Sequence, residues 1–172
     1  FACHPAQLVE PSQRFSIRDA RHPLLLAQHG SVVPFDLAML PDERTLLVSG
    51  PNTGGKTVLL KALGLASVMV QAGIPATVGP ESRIAVFDDV FAEGATPESL
   101  VLVDELGSGT DPLEGAALGG AILEELTGRG ALTIATTHLG ALKEPATEVR
   151  GVVNASLQFD AVALAPTYRL IK

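Results

Sequence analysis

The chain has 172 residues, of which 47% are hydrophobic and 18% are charged, and this composition excludes a disordered tail and favours one domain with a buried core. The net charge of −7 is unlike that of a nucleic-acid-binding domain. Any contact with DNA or RNA is therefore expected on another part of a larger protein, with ordinary acidic solubility as the alternative reason for the charge. One cysteine excludes an internal disulfide, and neither a signal peptide nor a membrane span is recognisable, so we expect a cytoplasmic protein with no membrane partner.

The first part of the chain predicts a boundary segment and then short strands. Residues 1–15 carry two prolines and are expected to be irregular, with one domain following over residues 16–172. The segments FSIRDARHPLL and SVVPFDLAML predict short antiparallel strands joined by turns. RTLLVSG is apolar on both faces and predicts a buried strand of the parallel type, followed by a helix over residues 56–72.

The second part of the chain alternates strands and helices. SRIAVFDDVF predicts a strand, and SLVLVDE and ALTIATTH predict two further buried strands. Between these two we expect a helix over residues 112–126, with Asp111 as its N-cap, Pro112 at its first position, and Gly128 and Gly130 ending it. NASLQFD and TYRLIK predict later strands. The alternation predicts an α/β fold with a mostly parallel central sheet flanked by helices, and the strands outside it predict an added antiparallel layer.

The segment GPNTGGKT, residues 50–57, matches the phosphate-loop pattern G-x-x-x-x-G-K-[ST], called Walker A, between a predicted strand and a predicted helix. Glycines let the backbone wrap an anion, and the amides at the start of a helix attract it. A lysine then neutralises the β- and γ-phosphates, and a threonine hydroxyl binds Mg²⁺. No guanine-specific motif is visible, so we expect ATP with Mg²⁺ to be bound by Gly50, Pro51, Asn52, Thr53, Gly54, Gly55, Lys56 and Thr57.

Two acids follow the apolar run LVLV at residues 100–103. Asp104 is predicted to hold Mg²⁺ through its water shell, and Glu105 to polarise the attacking water as a general base; a solvated acidic strand end is the alternative. His138, which follows the third buried strand, can hydrogen-bond the γ-phosphate, although most lone histidines are not catalytic. The loop GSGTDP is either a flexible turn with a helix cap or a loop that crosses a dimer interface, and the sequence leaves both open.

The residues of these motifs resemble those of a known protein family. Four segments are similar to the ATPase domain of the MutS family, which is a P-loop NTPase of the ABC class. These segments are RHPLL, GPNTGGKT, LVLVDELGSGTDP and TTHLGALK. Four features resemble the second bacterial MutS branch in particular. They are Thr53, the absence of a serine before Thr57, the triplet TDP at residues 110–112 and the segment QAGIPATVGPESRIAVFDDVFA. Members of that branch carry a C-terminal Smr nuclease domain and lack the mismatch-sensing domain. The resemblance covers nearly all of residues 16–172.

This resemblance implies further roles for single residues. It places Asn52 opposite the γ-phosphate, makes Glu105 the catalytic base and makes His138 a switch residue that senses the γ-phosphate. It also places Phe35 on the adenine ring, although an ordinary core phenylalanine is the alternative.

The resemblance also implies partners. It implies an ATPase that forms a homodimer through this domain and acts on branched DNA, on stalled ribosomes and their RNA, or on both, through other domains. The full-length protein would then also be an endonuclease.

The sequence departs from the family in one place. FDDVFA runs within a few residues into TPESLVLVDE, and neither an L-S-G-G-Q nor an S-T-F-like segment lies between them. The family has some tens of residues there, so we expect a missing segment near residues 92–95, seen as a Cα–Cα separation well beyond ~3.8 Å. An unbroken chain would indicate a deletion and would weaken the prediction of hydrolysis.

Two other functions compete with an ATPase of this family. The first is another ABC-class ATPase, such as a transporter engine or a chromosome-organising protein. The missing L-S-G-G-Q and the MutS-like motifs argue against this function. The second is a dimerisation module that holds a nucleotide without hydrolysing it, and the sequence leaves it open.

Overall fold

The structure is a computed structural model that describes residues 3–51, 55–90, 94–160 and 165–172. In chain order the elements are β1 (Gln7–Val9), β2 (Phe15–Ala20), α1 (Pro23–His29), β3 (Phe35–Met39), β4 (Thr45–Ser49), α2 (Lys56–Gln71), β5 (Arg83–Ala85), β6 (Leu100–Val103), α3 (Pro112–Gly128), β7 (Leu132–Thr137), α4 (Lys143–Glu148), β8 (Val152–Asp160) and β9 (Ala165–Ile171). A short 3-10 turn, Gly140–Leu142, precedes α4. The predicted α/β class is confirmed.

The central sheet has the strand order β6-β7-β4-β8-β9. Strands β6, β7, β4 and β8 run parallel, and β9 is antiparallel to β8, so the predicted mostly parallel sheet is confirmed. The register sets Ser49 of β4 beside Thr137 of β7, and Val103 of β6 beside Ala135 of β7. The residues that follow β4, β6 and β7 therefore leave the sheet at one common edge.

Helices cover both faces of this sheet. Leu46 and Val48 of β4 belong to the core that α2 covers, whereas Leu47, between them, packs in the cluster that contains Leu123 of α3. Opposite burial of successive residues is expected because side chains alternate across a strand. All three β4 residues have an exposed fraction of 0%, which explains why RTLLVSG is apolar without alternation.

A second sheet has the strand order β1-β5-β2-β3, in which β2 is antiparallel to both β3 and β5. It supplies the predicted antiparallel layer for the early strands only, because the late strands β8 and β9 belong to the central sheet. The expectation that residues 1–15 are irregular is wrong at β1, which pairs in parallel with β5 and buries Val9. Gln7 N–H donates to Ser82 O at 2.9 Å, so the backbone of the segment is paired in spite of the two nearby prolines.

The predicted strand character of RHPLL is also wrong, because these residues open α1. His22 is the N-cap, and its Nδ1 accepts a hydrogen bond from Leu25 N–H at 3.4 Å. Pro23 stands at the first position, where its fixed φ and missing N–H suit a helix. Gly30 closes the helix with a left-handed φ of 70°.

The strand predicted from SRIAVFDDVF is shorter than expected. It ends at Ala85, although Val86 N–H still donates to Val9 O at 3.0 Å. From Phe87 on, the backbone binds a side chain instead of a strand. Phe87 N–H donates to Gln71 Oε1 at 2.7 Å, and Gln71 Nε2 donates to Phe87 O at 3.0 Å. The residues 91–93 at the end of this segment, where the missing segment near 92–95 was expected, lie outside the described residues.

Helix α3 confirms its predicted start. Asp111 is the N-cap, and its Oδ1 accepts from Leu113 N–H at 2.9 Å, while Pro112 is the first helical residue. The helix runs to Gly128, two residues beyond the predicted end. Among the described residues, no helix combines the length and the hydrophobicity that crossing a membrane requires.

The loop after β6 touches α3 through two glycines. Gly107 has a φ of 80°, and a Cβ placed on Gly115 would lie 2.2 Å from Gly107 O. We expect Gly115→Ala to destabilise the protein by about 2 kcal/mol, because backbone atoms would have to move. The comparison is Gly120→Ala in the same helix, where the added Cβ meets only Leu142 Cδ1 at 3.9 Å.

Urea unfolding of both variants provides the test. Gly120→Ala is expected to stabilise α3 by up to about 1 kcal/mol, because alanine is the better helix former. Equal effects of the two substitutions on the free energy of unfolding would contradict the close contact.

Candidate active site

The phosphate-loop segment joins the end of β4 to the start of α2. Gly50 has a φ of 140° and Gly55 a φ of 85°, both in the region that favours glycine. Gly55 is the N-cap of α2 and makes no side-chain capping hydrogen bond. N–H groups at the start of a helix attract anions, and Gly55 has no side chain that would compete for those of α2. Asn52, Thr53 and Gly54, which were predicted to contact phosphate, lie outside the described residues, and Pro51 is exposed.

Lys56 is unusual because it is a charged side chain that is almost fully buried. It has an exposed fraction of only 2%, and its Nζ donates to Gly50 O. Burial lowers the pKa of Lys56, while the charges of Glu105 and Asp104 raise it in part. A buried ammonium group in this position is suited to an anionic ligand, which would replace the lost hydration.

Asp104 lies directly against the phosphate-loop helix. Thr57 Oγ1 donates to Asp104 Oδ2 at 2.8 Å, so residues 47 positions apart in the chain are in contact. The other oxygen, Oδ1, accepts from Thr136 Oγ1 at 2.6 Å. The predicted proximity of the phosphate loop and the acid pair is confirmed by this contact.

Glu105 follows in a strained backbone conformation. Its φ is 54°, a value that residues other than glycine rarely adopt. Its N–H donates to Thr136 Oγ1 at 2.9 Å, and its carbonyl accepts from Ser108 N–H at 3.0 Å. The side chain is partly buried, and its charge acts on Lys56. Such strain is common at functional sites.

Two threonines of β7 take part in this site that sequence reasoning did not select. Thr136 contacts Asp104 and Glu105, and Thr137 Oγ1 donates to Leu106 O at 2.9 Å. Both side chains have an exposed fraction of 0%. The sequence signal for them is the pair of hydroxyl residues at the end of a buried strand, directly before His138.

His138 is exposed and follows β7 at the same edge of the sheet. It therefore lies at the same end of the sheet as the phosphate-loop segment and the acid pair. Its role as a sensor of the γ-phosphate stays a prediction.

Phe35, the first residue of β3, is part of the core and also lines a cavity. Its exposed fraction is 9%, and the cavity beside it has a volume of about 290 Å³. Gly55 and Val58 of the phosphate-loop helix line the same cavity, with Leu25, His29, Ser31, Val32, Val33, Leu59 and Leu157. Both sequence interpretations of Phe35 are thus compatible with its position.

The side chains fit the groups that were predicted. A carboxylate and a hydroxyl at 2.8 Å offer the oxygen ligands that Mg²⁺ prefers, and the carboxylate is exposed. The buried ammonium and the uncapped helix start favour phosphate, and the mostly apolar cavity next to Gly55 suits a flat base. Within the described residues, no group of three or more His, Cys, Asp or Glu side chains offers a different metal site.

Comparison with known proteins identifies a family with similar sequences. The model of MutS domain V matches residues 91–169. The chain is similar to the protein named Endonuclease MutS2 of Gemmatimonas aurantiaca, with 61% identity over 99% of this chain and 24% of that protein. It is also similar to those of Pelotomaculum thermopropionicum, with 46% identity over 96% of this chain and 24% of that protein, and Alkaliphilus oremlandii, with 42% identity over 95% and 24%.

The chain spans about a quarter of the length of these curated relatives. Together with the match to domain V, the similarity across almost the whole chain decides the family. The chain belongs to the MutS family, in its MutS2 branch.

Proposed function

We propose that this chain is an ATP-binding and ATP-hydrolysing domain with the P-loop fold of the ABC class. The observation that carries the proposal is the contact between Thr57 and Asp104, beside the buried Lys56. It joins the phosphate-loop motif to the acid pair at one edge of a parallel sheet, where ligands of α/β folds bind. Family membership supports the same assignment and argues against a transporter engine.

The chemistry of each side chain suggests its role in binding or hydrolysis. Lys56 and the amides at the start of α2 would hold the phosphate groups, with Asn52, Thr53 and Gly54 completing the loop. Thr57 and Asp104 would hold Mg²⁺, which supplies charge stabilisation at the phosphate oxygens when bound. Glu105 would accept a proton from the attacking water, and His138 would contact the γ-phosphate. Catalysis then depends on positioning and on charge stabilisation.

We also propose that the cavity beside Phe35 takes the adenine ring. We expect Phe35→Leu to lower the affinity for ADP about fivefold, the equivalent of about 1 kcal/mol of stacking. Affinity for inorganic tripolyphosphate, which has no base, should not change. Isothermal titration of the full-length protein measures both, and Phe87→Leu, another buried phenylalanine, is the control.

A loss that is the same for ADP and for tripolyphosphate would instead make Phe35 a core residue only. If Phe87→Leu lowers the affinity for ADP as much as Phe35→Leu does, Phe35 is likewise a core residue only.

We further propose that a segment is missing from the chain near residues 92–95. The alignment with the Gemmatimonas protein spans 196 positions, against 172 residues here, so that relative has at least 24 residues without a counterpart. The alignments with the other two relatives span 192 and 193 positions. These lengths support a missing segment, which we propose to be the signature segment of the ABC class, and sequencing the coding region around these residues tests it.

The whole protein is proposed to be a homodimer that acts on branched DNA, on stalled ribosomes and their RNA, or on both. Its relatives are named endonucleases, and this chain covers about a quarter of them. We therefore assign the nuclease activity and the nucleic-acid contacts to other domains, and the dimer contact to this one.

The experiment for the proposed function is an ATPase assay of the full-length protein, alone, with branched DNA and with stalled ribosomes. ATP turnover that depends on Mg²⁺ is the expected result. A protein that binds ATP without ever hydrolysing it would instead be a nucleotide-dependent dimerisation module.

A further inference from the structure

The side chain of Thr136 connects the two acids at the end of β6. Its hydroxyl accepts from Glu105 N–H at 2.9 Å and lies 2.6 Å from Asp104 Oδ1. A hydroxyl has one proton, and the N–H already supplies one, so the hydroxyl proton points to the carboxylate. Thr136 has an exposed fraction of 0%, so its hydroxyl is shielded from bulk water.

We propose that Thr136 is a positioning residue that sets the metal-holding carboxylate and the catalytic base at the same time. This inference rests on the proposed function and goes beyond it, because it assigns a role to a residue through its bonds to the two acids. The side chain acts only through Asp104 and Glu105.

The bond to Glu105 supports a strained backbone. Glu105 has a φ of 54°, and its N–H is held by the Thr136 hydroxyl. The next residue, Leu106, donates its N–H to Thr136 O at 2.7 Å. Without the hydroxyl, the Glu105 N–H loses this partner, and the backbone can relax toward the common regions of φ. The Glu105 carboxylate would then leave its position.

The bond to Asp104 fixes the orientation of a carboxylate that is otherwise exposed. Oδ1 accepts from Thr136 and Oδ2 accepts from Thr57, so both oxygens are placed by hydroxyl groups from two different elements, β7 and α2. Loss of one of these bonds allows the carboxylate to rotate. Its capacity to hold Mg²⁺ beside Thr57 should fall with that freedom.

The same strand offers a matched control. Thr133 also lies on β7 with an exposed fraction of 0%, and its hydroxyl has no hydrogen-bond partner among the described residues. Thr133→Val and Thr136→Val therefore make the same chemical change in the same buried strand. Only the second removes hydrogen bonds to the acid pair. Thr136→Ser keeps the hydroxyl and serves as the conservative variant.

The test compares these variants in the full-length protein by two readouts. The first is ATP turnover, for which Thr136→Val should lower kcat about tenfold or more and change KM less than about threefold. The second is ADP affinity by isothermal titration with Mg²⁺ or with EDTA. Thr136→Val should reduce the gain in affinity that Mg²⁺ provides and leave the affinity in EDTA unchanged.

Thr133→Val should match the wild type in both readouts, and Thr136→Ser should recover at least half of the lost turnover. The inference is overturned if Thr136→Val matches Thr133→Val in both, or if Thr136→Ser is as impaired as Thr136→Val. If the wild type does not hydrolyse ATP, the proposed function fails, and the Mg²⁺-dependent ADP affinity alone decides about Thr136. A common loss of thermal stability in both valine variants would show a packing effect.

Discussion

Glu105→Gln in the full-length protein is expected to lower the rate of ATP turnover about 100-fold or more and to leave ATP affinity within about twofold. Glutamine keeps the size and the backbone contacts of the residue but cannot accept a proton from water. The structure favours this result because Glu105 is held in a strained conformation, one residue from Asp104 and close enough to affect Lys56. Single-turnover hydrolysis and equilibrium ATP binding measure the two quantities separately.

Glu124→Gln is the control for this experiment, because Glu124 is exposed on α3. It should not alter either quantity. Turnover by Glu105→Gln at the wild-type rate would show that Glu105 is not the base. Loss of binding together with turnover would instead make Glu105 a residue of the binding site.

Lys56→Met is expected to lower ATP affinity about 30-fold or more, since the phosphate groups lose a charged hydrogen-bond donor worth about 2 kcal/mol. The nucleotide-free protein should not lose thermal stability at neutral pH. Lys56 is buried, and burial lowers its pKa, so the folded state disfavours the charge that methionine removes. Thermal unfolding with and without ATP provides both measurements.

The difference in stability between the wild type and Lys56→Met depends on pH, and the sign of this dependence is defined. The pKa of Lys56 is lower in the folded protein than its ordinary value of 10.5, so the unfolded chain binds more protons between the two pKa values. The destabilising effect of the charged lysine is complete below the folded pKa and disappears as the pH rises toward 10.5. The stability of the wild type should therefore rise relative to Lys56→Met in that range.

Lys61→Met, on the exposed side of the same helix, is the control and should change neither ATP affinity nor this pH dependence. A Lys56→Met protein that binds ATP as tightly as the wild type would contradict the assignment of the phosphate loop.

The parts of the fold that the sequence predicted well are those with a strong local pattern. RTLLVSG and ALTIATTH are short buried runs without alternation, a pattern that fits a strand covered by helices on both faces, and β4 and β7 are such strands. Asp111 and Pro112 marked the start of α3 correctly because capping depends on neighbouring residues. The acid pair lies beside the phosphate loop because parallel strands end at a common edge.

Other features depend on contacts that no local pattern contains. β1 is held by pairing with β5, about 75 residues later in the chain, so proline content misled the prediction for residues 1–15. In α1, the caps His22 and Gly30 were present in the sequence but short apolar runs fit a strand as well as a helix. The role of Thr136 follows from the register of β6 against β7, which the sequence leaves open.

The proposed site is tested most directly by the position of the metal ion in crystals of the full-length protein grown with a non-hydrolysable ATP analogue and Mn²⁺. We predict an anomalous peak about 2 Å from Thr57 Oγ1, at the phosphate oxygens and next to the Asp104 carboxylate. Nucleotide bound away from residues 50–57, or a metal ion that Asp104 does not approach, would contradict the proposed site.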